Sequence, residues 1–320
     1  ELLLSKGADV NAQGERYGSA LYAASYGGHN KTVELLLSKG ADVNAQDGWY
    51  GTALCAASTE GRVKTVELLL QKGADANVQG GRYGNAHNGA AFNGRTELLR
   101  LLLTGNRAGQ DLRDDQGRSA LHLAARGGHI STMDSLLALG MDINVKDMRG
   151  DQILSYAASG ASALTVQRIL QHPSLCVEES DGWSPLHWAC RIGDAEVLRL
   201  LIDKGFQGHV VRTSYPQALW TPYSIAIFHG NRKLLSELGN WRSDLFTCEH
   251  TLSEATQIFA EKVSTKVAEK VPGVICDSCE HDIYGPRFHC VICPDFDYCF
   301  MCKLTADKSH PGHEWEKTET

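Results

Sequence analysis

Eight residues near the C-terminal end of the chain are of metal-binding types, and they fall into four equally spaced pairs: Cys276/Cys279, Cys290/Cys293, Cys299/Cys302 and His310/His313. Each pair reads ligand-x-x-ligand. That spacing lets two side chains of one tight turn reach a single ion, and Zn2+ takes four such sulfur and nitrogen donors in a tetrahedron. Eight ligands suffice for two closed sites, so the spacing predicts two zinc ions. A zinc with four protein ligands keeps no open position for water or substrate, which makes both ions structural. Sequential use would join 276/279 with 290/293 and 299/302 with 310/313. Alternating use would join 276/279 with 299/302 and 290/293 with 310/313. Spacing alone leaves both open.

The residues around these ligands are acidic. Between 272 and 320 the cations Arg287, Lys303, Lys308 and Lys317 are outnumbered by Asp277, Glu280, Asp282, Asp295, Asp297, Asp307, Glu314, Glu316 and Glu319, a balance of −5 within a chain of net charge −7. Such a surface repels nucleic-acid phosphate and favours basic or amine-bearing partners. Apolar runs stay well short of the ~18 residues that a membrane helix needs, so no membrane span is expected. The remaining cysteines, Cys55, Cys176, Cys190 and Cys248, are scattered. Ligand cysteines beside lone ones point to a reducing compartment, cytoplasm or nucleus. The chain opens on Glu1-Leu2-Leu3-Leu4, without Met and inside a helical pattern, which reads as part of a longer protein.

Most of the chain ahead of the ligands is a repeat. The segment from Glu34 to Gln46 nearly copies residues 1–13 and returns at 67–79, a period of 33 residues. Frames aligned on Leu21, Leu54, His87, Leu121, Leu154, Leu186 and Tyr223 carry Ala three positions later: Ala24, Ala57, Ala90, Ala124, Ala157, Ala189 and Ala226. Seven positions later stands Gly28, Gly61, Gly94, Gly128, Gly193 or Gly230, with Ala161 the exception. Fifteen positions later the residue is always apolar, as at Leu36, Leu69, Leu102, Leu136, Ile169, Leu201 and Leu238. Small Ala lets a short helix lie close to its neighbour, and Gly ends that helix where φ is positive. The apolar column packs a second helix into a core that no single repeat can bury alone.

Ser184-Pro-Leu-His-Trp-Ala189, Ser119-Ala-Leu-His-Leu-Ala124 and the Gly-Ala-Asp-Val-Asn of 40–44 resemble the ankyrin family over about residues 1–239. The resemblance implies a mainly α solenoid of helix–turn–helix repeats with a hairpin each, a partial first repeat and about seven further frames. Asn85 replaces the helix-capping Thr in one frame and Gln152 in another, and Thr104–Gly109 lacks the usual Gly-Ala-Asp; these repeats are expected to be weaker. The frame around Trp220-Thr-Pro-Tyr-Ser-Ile-Ala-Ile227 is expected to cap the array. His122 and His187 fall at the signature His position, and His29 and His129 follow the helix-ending Gly; all four read as structural. Ankyrin arrays generally bind through hairpin tips and the inner helix face. Arg16-Tyr17, Trp49-Tyr50 and Arg82-Tyr83 form an aromatic ladder there, so Tyr17, Trp49, Tyr50 and Tyr83 are candidates for a protein-binding surface. The competing reading has Tyr17, Tyr50 and Tyr83 packing on one another to shape the turns.

Residues 240–271 read as a partly helical linker, with apolar residues at 258, 259, 263 and 267, ended by Pro272-Gly273. Beyond it, Cys276-Asp-Ser-Cys279, Arg287-Phe-His-Cys-Val-Ile-Cys293, Pro294-Asp-Phe-Asp-Tyr-Cys299 and His310-Pro-Gly-His313 resemble the ZZ-type zinc finger over 272–320. That family interleaves its pairs. Carried over, one zinc takes Cys276, Cys279, Cys299 and Cys302, and the other takes Cys290, Cys293, His310 and His313. Several members bind free N-terminal segments through an acidic pocket, whose matching positions are Asp277, Asp295 and Asp297. A carboxylate forms charge-assisted hydrogen bonds to an α-ammonium. These resemblances imply a non-enzymatic scaffold that binds one protein through the array and a free or basic N-terminal peptide through the zinc module. Alternatives are a ubiquitin-pathway adaptor, or the C-terminal sensor part of a larger fungal NTPase signalling protein. The RING-like enzyme reading is disfavoured because both histidines come last in the ligand order, and no G-x-x-x-x-G-K-[ST] occurs within the chain.

Overall fold

A computed structural model describes residues 2–14, 18–105, 112–177, 183–206, 211–214, 217–220, 222–238, 270–275, 282–284, 287–290, 297–299 and 315–318. The chain divides into two compact units, Glu1–Asp147 and Met148–Thr320, and the division falls between the frames aligned on Leu121 and Leu154. In the first unit, α1 (Leu2–Ser5) and the hairpin β1 (Gln13–Gly14)/β2 (Gly18–Ser19) precede four helix pairs. These are α2 (Ala20–Gly27) with α3 (Asn30–Ser38), α4 (Ala53–Thr59) with α5 (Val63–Gln71), α6 (Ala86–Phe92) with α7 (Thr96–Gly105), and α8 (Ala120–Arg126) with α9 (Ile130–Ala138). The first helices α2, α4, α6 and α8 lie side by side, and each packs on the second helix of its own pair.

The first helices have only seven or eight residues, too short to hold together alone in water. Each is started by a polar side chain and kept by burial. Thr52 Oγ1 accepts from Cys55 N at 3.1 Å, and Ser19 Oγ from Tyr22 N at 3.2 Å. His122 completes a capping box: its Nδ1 lies 3.0 Å from Ser119 Oγ and 3.2 Å from Ser119 N. His187 does the same for Ser184, at 2.8 Å and 3.2 Å. Every residue of α4 and α8 is buried. The second helices show one apolar face, such as Val33 and Leu36 in α3, Val66 and Leu69 in α5, and Met133 and Leu136 in α9. The Ala column of the four frames is 0–5 % exposed, so adjacent first helices meet closely. At Gly89 in α6 a Cβ would lie only 2.3 Å from Thr59 Oγ1 of α4.

Asn85 keeps its helix start capped, at the cost of a buried Nδ2 with no hydrogen-bond partner among the described residues. Its Oδ1 accepts from Asn88 N at 2.9 Å, and Asn caps a helix as well as Thr does. Another weak point of that frame is His87, which occupies the column held by Leu in the other frames of this unit and is fully buried. Neither ring nitrogen has a hydrogen bond of good geometry. Burial pushes its pKa down to about 4, only partly offset by the Leu102 backbone. A further cost follows from the missing Gly-Ala-Asp. Asn11 Oδ1 accepts from Asp42 N at 2.8 Å and Asn44 Oδ1 from Asp75 N at 2.8 Å, tying each hairpin to the next. Asn77 is the next rung, and its Oδ1 is buried without a partner among the described residues.

In the second unit, α10 (Ile153–Ser159), α11 (Ala163–Leu170), α12 (Pro185–Ile192) and α13 (Ala195–Asp203) repeat the pairing. The hairpin β3 (Val211–Ser214)/β4 (Gln217–Trp220), α14 (Pro222–Phe228) and a 3-10 helix over Arg232–Ser236 follow. Gln152 does leave α10 without a side-chain cap: its amide donates instead to the Cys176 carbonyl at 2.9 Å. The linker helix expected over 254–270 lies outside the described residues except for Lys270. Pro272-Gly273 fall inside a strand, β5 (Lys270–Ile275), which pairs with β6 (Asp282–Tyr284) through an irregular register. An edge strand with a bulge tolerates Pro and Gly. A three-stranded sheet with order β8-β7-β9 completes the unit, from β7 (Arg287–Cys290), β8 (Asp297–Cys299) and β9 (Trp315–Thr318).

Two stability predictions follow from the frame exceptions. Ala161 has φ 52, the only positive φ among described non-glycine residues. An L-residue there costs about 1–2 kcal/mol, so Ala161→Gly is expected to raise stability by about 1 kcal/mol in urea unfolding, and an unchanged midpoint would refute the strain. His87 stays neutral in the fold. Above pH 6.5 it is neutral folded or unfolded. As pH falls from 6.5 toward 4 the unfolded chain takes up a proton that the folded chain refuses, so stability declines across that window, by roughly 2–3 kcal/mol in all. His87→Leu is therefore expected to gain more over wild type at pH 4.5 than at pH 7.5. An equal gain at both would show that His87 does not titrate in this way.

Candidate functional site

On the first unit, an aromatic stack crosses three frames. Tyr26 and Tyr50 stack with ring centroids 6.1 Å apart, Tyr50 and Tyr83 at 5.9 Å, and Tyr83 and Phe92 at 4.9 Å. Tyr50 and Tyr83 come from turns ahead of α4 and α6, whereas Tyr26 and Phe92 come from the last turns of α2 and α6. Tyr22 supports the stack from α2: its hydroxyl accepts from Tyr50 N at 3.1 Å, and burial, the largest influence, pushes its pKa up to about 12. Tyr83 is buried, Tyr50 half-buried, and Trp49 is 52 % exposed. Tyr17 lies outside the described residues. Thus Tyr50 and Tyr83 do pack on each other, and of the described ladder residues Trp49 presents the most surface. The Arg82 guanidinium lies 5.6 Å from the Trp49 ring centre and 5.7 Å from that of Tyr83, and Arg82 N donates to the Trp49 carbonyl at 3.0 Å.

Tyr26 and Phe92 were missed as stack members, although a signal was there: both stand five positions after their frame's aligned residue. In the second unit Arg191 holds that position, with its guanidinium 5.7 Å from the Trp183 ring centre and 5.5 Å from that of Trp188. All three are buried.

A second column runs beside the stack, through the turns between first and second helices. Arg62 donates Nε to the Tyr26 carbonyl at 3.1 Å. Its Cδ lies where a Cβ on Gly28 would be only 2.9 Å away, and Arg95 covers Gly61 and His129 covers Gly94 in the same way, at 2.8 Å and 2.5 Å. Glycine at these places both allows the positive φ and leaves room for the side chain of the following frame. The His29 ring rests on Gly27. His29 and His129 therefore pack against turns, as His122 and His187 cap helices.

At the C-terminal end, β7 pairs antiparallel with β8, Arg287 opposite Cys299 and His289 opposite Asp297, and with β9, Cys290 opposite Trp315. Cys290 and Cys299 thus stand at opposite ends of the β7–β8 ladder, three residues apart in register, or ~10 Å. β5, which ends at Ile275 just before Cys276, contacts β8. Of the eight expected ligands, Cys290 and Cys299 have described places, at the ends of β7 and β8. Cys276, Cys279, Cys293, Cys302, His310, His313, Asp277 and Asp295 lie outside the described residues, and of the three carboxylates expected at a pocket only Asp297 has a described place, in β8.

No helix among the described residues is long and apolar enough to cross a membrane. The ankyrin-repeat family profile matches residues 1–80, 87–174 and 154–245, and the ZZ-type zinc-finger profile matches 271–314. Both are protein-interaction modules, and the second implies zinc binding. An ankyrin repeat domain-containing protein (SAT10) of Stachybotrys chartarum is 30 % identical over 195 residues, 56 % of this chain and 9 % of its own length. Palmitoyltransferase AKR1 of Saccharomyces cerevisiae is 32 % identical over 100 residues, 29 % of this chain and 13 % of its own. Human SH3 and multiple ankyrin repeat domains protein 2 is 33 % identical over 97 residues, 30 % and 5 % respectively. The chain therefore spans a small part of the length of each of these relatives. With three profile copies covering most of its stacked helices, the chain belongs to the ankyrin-repeat family and carries a ZZ-type zinc finger after the repeats.

Proposed function

We propose that this chain is a non-enzymatic scaffold with two separate protein-binding sites. Residues 1–239 form the array that binds one partner, 240–271 link it, and 272–320 form a zinc-held module that binds a second. The observation that carries this reading is the presence of two interaction modules in one chain.

Within the module, the interleaved assignment has the better support. The strand leading to Cys276 touches the strand ending at Cys299, while Cys290 stands at the other end of the ladder. One zinc would then be held by Cys276, Cys279, Cys299 and Cys302, and the other by Cys290, Cys293, His310 and His313. Each supplies cross-linking of strand ends, which in small modules is worth about 10–16 kcal/mol of folding free energy per ion. Asp277, Asp295 and Asp297 are the acceptors for an α-ammonium, since an acidic segment attracts amines and each carboxylate can form a charge-assisted hydrogen bond.

Two measurements test this. Metal analysis of the purified chain should give two zinc ions per molecule, and one or none would remove the ligand assignment. A peptide with a free N-terminus should bind, and binding should fall about tenfold or more on N-acetylation and on Asp295→Ala. Equal affinity for the acetylated peptide would dismiss the ammonium pocket.

A further inference from the structure

The two columns of the first unit meet at Tyr26. Its ring stacks on Tyr50, and its carbonyl holds Arg62. Around this junction three large apolar side chains stand out to solvent: Tyr26 at 44 %, Trp49 at 52 % and Val63 at 43 % exposure. Exposed cations accompany them, Lys31, Arg62, Lys64 and Arg95. Lys31 and Lys64 each have an exposed acid three residues on, Glu34 and Glu67, on the same helix face. Arg62 and Arg95 have no acid three or four residues away, so they are the cations of the ridge open to a partner's carboxylates, in a unit with 15 basic and 16 acidic residues over 1–147. Tyr, Trp and Arg are the residue types that dominate binding energy at interfaces.

We propose that this ridge binds an extended acidic peptide segment of a partner protein, with carboxylates on the cations and apolar side chains on Tyr26, Trp49 and Val63. The proposal rests on the scaffold reading above and names the class of the array's partner. Its geometry comes from the repeat. Lys31, Arg62/Lys64 and Arg95 belong to successive frames, so the rungs are separated by the distance between packed helices, about 8–10 Å. A peptide in a polyproline-II-like conformation advances ~9.3 Å in three residues and returns its side chains to one face at that interval. Acidic residues at every third position therefore match one rung each. Nucleic acid is the poorer occupant. A net charge of −7 opposes a polyanion at long range, and four cations spread over three frames neutralise few phosphates.

The test uses the full zinc-loaded chain and fluorescein-labelled, N-acetylated peptides, so that an ammonium pocket plays no part. One peptide carries Glu at every third position with Pro and Leu between. A second has the same composition with its Glu residues clustered, and a third has Lys for Glu. A labelled single-stranded oligonucleotide completes the set. The third-position Glu peptide should bind about tenfold tighter than either other peptide, and weaken with added salt. The double variant Arg62→Glu/Arg95→Glu should lose about tenfold, whereas Lys39→Glu/Lys72→Glu, also exposed but one helix away, should change less than about twofold. Circular dichroism and the melting midpoint establish that the variants are folded. Equal binding of the Lys peptide, insensitivity to Arg62→Glu/Arg95→Glu, or tighter binding of the oligonucleotide overturns the proposal. Trp49→Ala separates the two levels. If it abolishes binding of the Lys peptide, the acidic class falls and the array stands as a binding surface. If no ligand in the set binds, the acidic-peptide proposal falls, and the free N-terminal peptide still tests the zinc module independently.

Discussion

Everything in the array depends on one constraint: a helix of seven or eight residues cannot bury its own apolar face. Each first helix must use its neighbours' surfaces, so Ala24, Ala57, Ala90 and Ala124 stay small and Leu36, Leu69, Leu102 and Leu136 stay large. Stability is then a sum of nearest-neighbour terms. Local faults matter in proportion to what they take from a shared face: His87, aligned with Leu21, Leu54 and Leu121, puts two unpartnered ring nitrogens into the core, whereas Asn85 keeps a capping oxygen and leaves one amide unpartnered.

The same economy shapes the surface. A glycine that must adopt positive φ also opens a shelf, and the Arg or His of the next frame lies on it. The repeat thereby sets out cations at a fixed interval without dedicating any extra element to the task. The aromatic stack works alike: Tyr50 and Tyr83 close the turns, and in doing so leave Trp49 and the edge of Tyr26 facing outward. Packing and solvent-facing positions are therefore divided between neighbouring residues of one turn. The zinc module solves the opposite problem. The zinc binding that a ZZ-type finger implies supplies folding free energy that a module this small cannot gain from burial alone.

Periodicity made the array readable. The Ala, Gly and Leu columns name buried and turn positions directly, and the one break in the Gly column, Ala161, is also the one described non-glycine residue at positive φ. Ligand spacing likewise announces zinc. Contacts that join residues of different frame positions were not readable. Tyr26 meeting Tyr50, and Arg62 meeting the Tyr26 carbonyl, depend on how far each turn leans over its neighbour, which spacing does not encode. Nor did spacing separate the two ligand pairings; the contact of β5, which leads to Cys276, with β8, which ends at Cys299, bears on that. The Pro272-Gly273 dipeptide, a stop signal in one dimension, turned out to be a bulged edge strand because β6 was available to pair with it.

The central claim is that one chain holds two independent protein-binding sites. Sedimentation of the zinc-loaded chain with an acetylated acidic peptide and a free N-terminal peptide, each carrying its own chromophore, tests it directly. The two-site scaffold predicts a ternary complex with one peptide of each kind per chain, and each affinity unaltered by saturation with the other peptide. Mutual exclusion of the two peptides, or both lost together on Arg62→Glu/Arg95→Glu, would contradict it.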